Sequence, residues 1–216
     1  MLCEFVSVVK IYKKKMALSN VSFGVNINES VGLHGPNGSG KTTLLKIAAA
    51  LERPTNGQII LHKDTFSRTG TILDDYKFLK NISGKNNLDC FFNAVINDKQ
   101  EAADLLNITA NLIQEFRLED NISKKFKHLS SGTKKKLDLV SVLSKDNLLF
   151  LLDEPTTALD AQSILFLENI ISQKRKEGCS FLIASHDKTF LANCCDKVYA
   201  LQDGKIVKEL KSVNLL

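Results

Sequence analysis

The chain has 216 residues, 44% of them hydrophobic and 25% charged, with a net charge of +5. That balance excludes a disordered or fibrous chain and allows a substantial core, long for one domain and not clearly two. No run approaches the ~18 uninterrupted apolar residues that a membrane-spanning helix needs, and residues 1–6 carry Glu4 with no basic lead, so no signal peptide is expected. Any membrane role then has to come through a partner.

Residues 2–9 and 19–28 read as strands, the second with Val21, Phe23, Val25 and Ile27 alternating against Ser22, Gly24, Asn26 and Asn28. Between them, Lys10-Ile11-Tyr12-Lys13-Lys14-Lys15 reads as a turn, so antiparallel β-structure comes first. The apolar run Val31-Gly32-Leu33 then leads into Gly35-Pro36-Asn37-Gly38-Ser39-Gly40-Lys41-Thr42, which fits G-x-x-x-x-G-K-[ST] at every fixed position. A helix-forming run from Thr43 to about Leu51 follows. Glycines in such a loop let backbone N–H groups turn inward around phosphate oxygens, and the next helix adds the positive end of its dipole. Lys41 is placed to reach β- and γ-phosphates, and the Thr42 hydroxyl to help hold Mg²⁺.

Pro54-Thr55-Asn56-Gly57 is a turn before a β run at 58–62, and Thr71-Ile72-Leu73 is a short strand before Asp74-Asp75. From about Ser83 to Leu129 the pattern is helical, with Leu88, Phe91, Phe92, Val95 and Ile96 at helical spacing and 102–116 likewise. This is expected to be a helical subdomain inserted into an α/β core. Strand and helix alternation then resumes. Leu148 to Leu152 is an apolar strand ending in Asp153-Glu154, 160–176 an amphipathic helix with Ile164, Leu167 and Ile171 on one side, and Phe181 to Ala184 a second buried strand. A hairpin pairs 198–201 with 206–210 across Asp203-Gly204.

Five cysteines, an odd number without a C-x-x-C pair, argue for a reducing compartment and against a disulfide framework or zinc site. The adjacent Cys194 and Cys195 are expected to be buried helix residues. Lys124, Lys125, Lys127, Lys134, Lys135 and Lys136 lack interleaved aromatics and read as a solvated face, so no direct nucleic-acid contact is expected. In nucleotide-binding α/β sheets, ligands sit at the carboxyl ends of strands. Asp153 there would hold Mg²⁺ through water, and Glu154 would take a proton from an attacking water.

With these motifs in this order, the chain resembles an ATP-binding-cassette (ABC) ATPase subunit over about residues 2–210. Leu129-Ser130-Ser131-Gly132-Thr133 resembles the family's signature L-S-G-G-Q, Thr157-Ala158-Leu159-Asp160 its D-loop and Ser185-His186-Asp187 its switch-histidine loop. Tyr12 stands where the family places an aromatic that stacks on adenine, and Asp74 at the Q-loop position. The resemblance implies an α/β P-loop NTPase core of the ABC type, residues 1–74 and 130–216, with an antiparallel β subdomain and an inserted helical subdomain at 75–129. It also implies an ATP sandwich of two copies, or of this chain with a related subunit. The phosphate loop (Gly35, Pro36, Asn37, Gly38, Ser39, Gly40, Lys41, Thr42, Thr43) of one faces Ser130, Ser131 and Gly132 of the other, with Asp160 crossing between them. The roles it implies are Glu154 and His186 with Lys41 in hydrolysis, and Thr42, Asp74 and Asp153 around Mg²⁺.

The signature departs from the family pattern at Ser131, which would strain a positive φ, and at Thr133; Asp74 stands where glutamine is usual. A transporter ATPase on the cytoplasmic side of a membrane is the leading expectation, with separate transmembrane subunits docking near residues 75–128. A soluble ABC ATPase acting on nucleic acid or ribosomes and an ATP-dependent dimerisation module without turnover are the alternatives. The substrate stays open between haem export for cytochrome c maturation and peptide or drug export.

Overall fold

The computed structural model describes residues 1–73, 78–93 and 99–211, and these fall into two compact units. The first comprises residues 1–73, 147–155 and 168 onward, and the second 74–146 and 156–167.

The first unit contains two sheets. Strands β1 (Cys3–Tyr12), β2 (Lys15–Val25) and β4 (Asn56–Leu61) form an antiparallel sheet in the order β2-β1-β4. The second sheet has six strands, β3 (Ser30–His34), β5 (Thr69–Ile72), β6 (Leu149–Asp153), β7 (Ser180–Ala184), β8 (Lys197–Gln202) and β9 (Lys205–Lys211). Their order is β5-β6-β7-β3-β8-β9, parallel until β9, which turns back antiparallel to β8.

Alternation decides which face each side chain takes. Leu149, Leu151, Val31, Leu33, Leu182 and Ala184 join Phe5, Val21, Phe23 and Val25 in one core, into which helix α1 (Lys41–Ala48) sends Leu44, Leu45 and Ile47. Phe150 and Phe181 point the other way, stack at 4.8 Å with 12° between their planes, and are fully buried. Strands covered on both faces explain the unbroken apolar runs at 149–152 and 181–184. The outermost strand β9 breaks that rule: Lys205, Val207, Lys208, Glu209 and Lys211 are exposed. Helices α5 (Ala161–Lys176) and α6 (Lys188–Cys194) precede β7 and β8 respectively.

Three expectations need correction. The strands flanking the first hairpin run through residues 10–12 and 15–18, leaving only Lys13-Lys14 as the turn, because Lys10, Ile11 and Tyr12 pair with Leu18, Met16 and Lys15 of β2. Ile27 lies beyond β2 and is 57% exposed, outside the core that Val21, Phe23 and Val25 enter. Helix α1 stops at Ala48, short of Leu51, where the chain turns through Ala50 at φ 55°.

The second unit is helical. It contains α2 (Gly84–Asn93), α3 (Lys99–Glu115) and α4 (Ser131–Leu143) together with the first part of α5. Leu88, Phe92, Leu105, Leu112, Phe116 and Leu137 are buried there, and Phe116 meets Phe166 edge to face at 4.9 Å. Val95 and Ile96, expected on the same helical face as Leu88, lie outside the described residues, as does Asp74. An isolated bridge between Ser83 and Lys125 closes the unit's loops.

Candidate nucleotide-binding site

Adjacency in the six-stranded sheet assembles the site. β6, β7 and β3 lie side by side and parallel, so the chain leaves all three at the same end. From β3 comes the glycine loop, from β6 the pair Asp153-Glu154, and from β7 Ser185-His186-Asp187. Residues more than a hundred positions apart in sequence thereby share one sheet edge, the location where such sheets bind ligands.

Within the loop, Gly38 and Gly40 have φ of 79° and 108°, the left-handed region that favours glycine. Gly40 has a second constraint, since a Cβ there would come within 2.9 Å of the Ala17 carbonyl and 2.6 Å of Leu18. The loop ends on the N-terminus of α1, whose first residue is Lys41. Only 6% exposed, Lys41 donates from Nζ to the carbonyls of Gly35 at 2.7 Å and Pro36 at 3.2 Å. Its ammonium thus curls back along the loop it follows, 4.0 Å from Glu154 Oε1. Next to it, the Thr42 hydroxyl donates to Asp153 Oδ2 at 2.6 Å, a short charge-assisted bond.

Glu154 is held in an unusual backbone state for a side chain of its size, φ 42°, with its N–H donating to the Ala184 carbonyl at 2.8 Å. This fixes the carboxylate against the β7 loop. Oε2 lies 2.8 Å from His186 Nδ1 and accepts from the His186 backbone N–H at 3.3 Å and the Ser185 hydroxyl at 3.4 Å. His186 itself is 70% exposed on its side chain, so its remaining ring nitrogen is open to solvent. Asp187 caps α6 by accepting from the Phe190 N–H at 3.0 Å, which sets where the histidine loop starts. His34, at the end of β3, bonds the Ser185 carbonyl through Nδ1 at 3.2 Å and ties the glycine loop's strand to the same turn.

Two buried polar atoms here have no hydrogen-bond partner among the described residues, Ser39 Oγ in the loop and Glu154 Oε1 beside Lys41. An unsatisfied buried donor and acceptor cost free energy, and a phosphate oxygen and a water are the groups that satisfy them. The described residues form no cluster of three His, Cys, Asp or Glu side chains of the kind that cages a transition metal. One hydroxyl beside one carboxylate suits Mg²⁺, which keeps several waters and shares the ligand's phosphates.

Away from the glycine loop, Tyr12 ends β1 and is 39% exposed. In the helical unit, Ser130 caps α4: its hydroxyl accepts from the Thr133 N–H at 3.1 Å and lies 2.8 Å from the Thr133 hydroxyl. Ser131 is the first residue of α4 and has no positive φ, so the strain expected of a serine at this position does not arise. Gly132 is required for a different reason, close approach, since a Cβ would stand 2.5 Å from the Ala158 carbonyl. Asp160 accepts from the Ser163 N–H and hydroxyl at 2.9 Å each and from Lys136 at 2.7 Å, pinning the start of α5 to α4. No described helix is long and apolar enough to cross a membrane.

The model of the family described as "ABC transporter" matches residues 18–157. The chain belongs to the ABC transporter family. Its place there is that of an ATP-binding cassette, an ATPase. The chain is 31% identical over 210 residues to the uncharacterized ABC transporter ATP-binding protein YybJ of Bacillus subtilis, covering 94% of each. It is 27% identical over 207 residues to the SkfA peptide export ATP-binding protein SkfE of the same organism, covering 93% of this chain and 85% of that protein. Among solved structures, the ATP-binding subunit of an ABC transporter superposes with a TM-score of 0.87 at 24% identity, over 98% of this chain and 90% of that one. That likeness fixes the fold of the cassette.

Sequence reasoning singled out the glycine loop, Asp153-Glu154 and Ser185-His186-Asp187, which the sheet brings to one end, but not the bonds that orient them. The contacts of Glu154 with His186 and of Thr42 with Asp153 cross gaps of 32 and 111 residues. Nor did it flag His34 or the Lys136–Asp160 ion pair, since a lone histidine or lysine is an ordinary surface residue until a partner is in place.

That ion pair gives a stability prediction. Hydrogen bonding from Lys136, followed by that from the Ser163 backbone, holds the Asp160 carboxyl below the usual carboxylate range. A depressed value means the stabilisation is complete above the unfolded carboxylate's pKa of about 3.9 and is lost as pH falls through the folded one. Because the Asp160 side chain is 58% exposed, solvent screens the pair and the cap carries most of the effect. Asp160→Ala, which removes both the cap and the partner of Lys136, is expected to cost about 1 kcal/mol at pH 7. Urea melts of both proteins at pH 7 and pH 3 should show that difference narrowing in acid.

Proposed function

We propose that this cassette is the ATP-hydrolysing subunit of a membrane exporter whose spanning segments belong to other chains. The observation that carries the reading is the Glu154 carboxylate, held by His186 and Ser185 beside Lys41 and next to Asp153. In this arrangement the amides of residues 35–43, including Thr43, cradle the triphosphate, while Lys41 exchanges its loop carbonyls for β- and γ-phosphate oxygens. Thr42 and Asp153 would hold Mg²⁺, with Asp74 given a part by the family resemblance, and the ion would neutralise developing phosphate charge. Glu154 takes the proton of the attacking water through Oε1, and His186 holds the other oxygen in place and contacts the γ-phosphate. Tyr12 stacks on the adenine.

Ser130, Ser131 and Gly132, at the start of α4, form an anion-binding lid for the nucleotide held by a second cassette, with Asp160 at the contact between them. Whether that second cassette is a copy of this chain or a related subunit depends on the transporter. ATP binding favours the closed pair and hydrolysis the open one, so the nucleotide shifts a two-state equilibrium that membrane subunits docked near residues 75–128 read out. This puts the protein at the cytoplasmic face of a membrane. SkfE, named for peptide export, favours a peptide over haem as the exported class.

Co-purification from detergent-solubilised membranes of the source cells tests the partner. A polytopic membrane protein retained on the tagged cassette is the expected result. Recovery of RNA, DNA or ribosomes in its place would replace the exporter with a soluble ATPase of the same family.

A further inference from the structure

The residues around Tyr12 do more than present a ring. Side chains two apart on a strand share a face, and Lys10 and Tyr12 do so at the end of β1, where the register with β2 shifts on both sides of Lys10. Lys10 Nζ lies 4.8 Å from the Tyr12 ring centroid, so one face of the ring is covered by an ammonium group. The Lys10 side chain is only 12% exposed, and its other bonds leave it little freedom. It donates to Glu52 Oε2 at 2.6 Å and to the Arg53 carbonyl at 2.8 Å.

Glu52 in turn belongs to the exit of α1. The N–H groups of Leu51 and Glu52 both bond the Lys46 carbonyl, at 2.9 and 3.2 Å. Around the same loop, Thr55 Oγ1 accepts from the Ile11 N–H at 3.0 Å and the Thr55 N–H donates to the Val9 carbonyl at 2.7 Å. Helix α1 starts at the glycine loop and its eight residues span about 12 Å. Tyr12 is therefore tied, through Lys10 and Glu52, to the far end of the helix that begins at the phosphate cradle.

We propose that Lys10 is a positioning residue for the nucleotide base: clamped by Glu52, it backs one face of Tyr12 and sets the ring's distance from the phosphate loop. The proposal rests on the reading that adenine stacks on Tyr12, and it assigns the base to the ring's uncovered face. An ammonium behind the ring and a carboxylate holding it make the platform rigid before ATP arrives, so less conformational freedom is lost on binding. Hydrogen bonding from Lys10, with a smaller part from Tyr12, also draws the Glu52 carboxyl below its usual range, which keeps the clamp charged at neutral pH.

The test compares Lys10→Met, Lys10→Arg, Glu52→Gln, Tyr12→Ala and the Lys10→Met/Tyr12→Ala double variant. Binding of ATP and of inorganic tripolyphosphate, which has no base, is measured by calorimetry alongside KM and kcat. Lys10→Met is expected to weaken ATP about three- to tenfold and leave tripolyphosphate alone, raising KM while kcat holds. Lys10→Arg, whose guanidinium also stacks and pairs, restores ATP binding, and Glu52→Gln falls between the two. Tyr12→Ala weakens ATP more, by about five- to a hundredfold, and Lys10→Met adds nothing on top of it. Lys10→Met binding ATP like the parent, losing tripolyphosphate equally, or adding its full loss to Tyr12→Ala would overturn the proposal while adenine stacking stood. Parental ATP binding by Tyr12→Ala would overturn the stacking itself, and Lys10's role with it.

Discussion

Glu154→Gln is expected to lower ATP turnover about 10²- to 10⁴-fold, the contribution of a positioned general base, while leaving ATP binding intact. The substitution keeps the side chain's length and its ability to bond His186, 2.8 Å away, and the Ser185 hydroxyl. What it removes is the proton acceptor at Oε1, the atom with no hydrogen-bond partner of its own. In free energy the loss is about 3–5 kcal/mol of transition-state stabilisation. A second consequence follows for a cassette that closes on ATP and opens on hydrolysis: with the exit blocked, the closed pair accumulates. Light scattering on the variant with ATP and Mg²⁺ should give twice the monomer mass, and phosphate release should be near background. A variant that remained monomeric and hydrolysed at the parental rate would remove both the base assignment and the ATP sandwich.

Lys41→Met should weaken nucleotide binding sharply without unfolding the chain. Methionine fills the buried stem, since Lys41 is 6% exposed, but supplies none of the donors that now reach Gly35 and Pro36. Charge-assisted bonds to phosphate are worth about 1.5–3 kcal/mol each, so affinity is expected to fall about 10- to 100-fold. Thermal shift separates this from misfolding. At ADP a hundred times the parental Kd, the parent gains about 2.7 kcal/mol, whereas a variant weakened a hundredfold gains only about 0.4 kcal/mol. Without nucleotide the two melting points should lie close together. A parental shift in the variant would mean the ammonium is not a phosphate contact.

Local chemistry made much of this cassette readable from residue order. Gly35 to Thr42 names its own backbone geometry, and the apolar run before Asp153 could only be a strand covered on both faces. The α/β core, the leading antiparallel sheet and the helical insert all follow from such stretches. Legibility failed where composition hides pairing. Lys10-Ile11-Tyr12 looks like a turn because its lysines dominate, yet all three pair with β2, opposite Leu18, Met16 and Lys15. Ile27 keeps the alternation of β2 in sequence, yet the strand stops at Val25.

The site shows the same division. Each candidate residue could be picked out by its motif. The left-handed backbone at Glu154 and the contact of Gly132 with Ala158 depend on loops meeting in space. Ser131, which would strain the loop were a positive φ required there, opens α4 without one, and the residue that has to be small is Gly132, against the Ala158 carbonyl. The composition change marks the insert at 75–129, whereas the compact helical unit takes in residues up to 146 and 156–167 as well.

The lysine-studded outer strand β9 constrains how this protein meets its own kind. An unpaired strand margin is an invitation to polymerise, and cationic side chains spaced along it withdraw that invitation by mutual repulsion. Self-recognition by main-chain zippering is thereby discouraged at this rim, so the subunit can be abundant without sticking to itself there. If the proposed ATP sandwich holds, pairing is left to a surface that an anion, supplied and then broken down, can switch on and off.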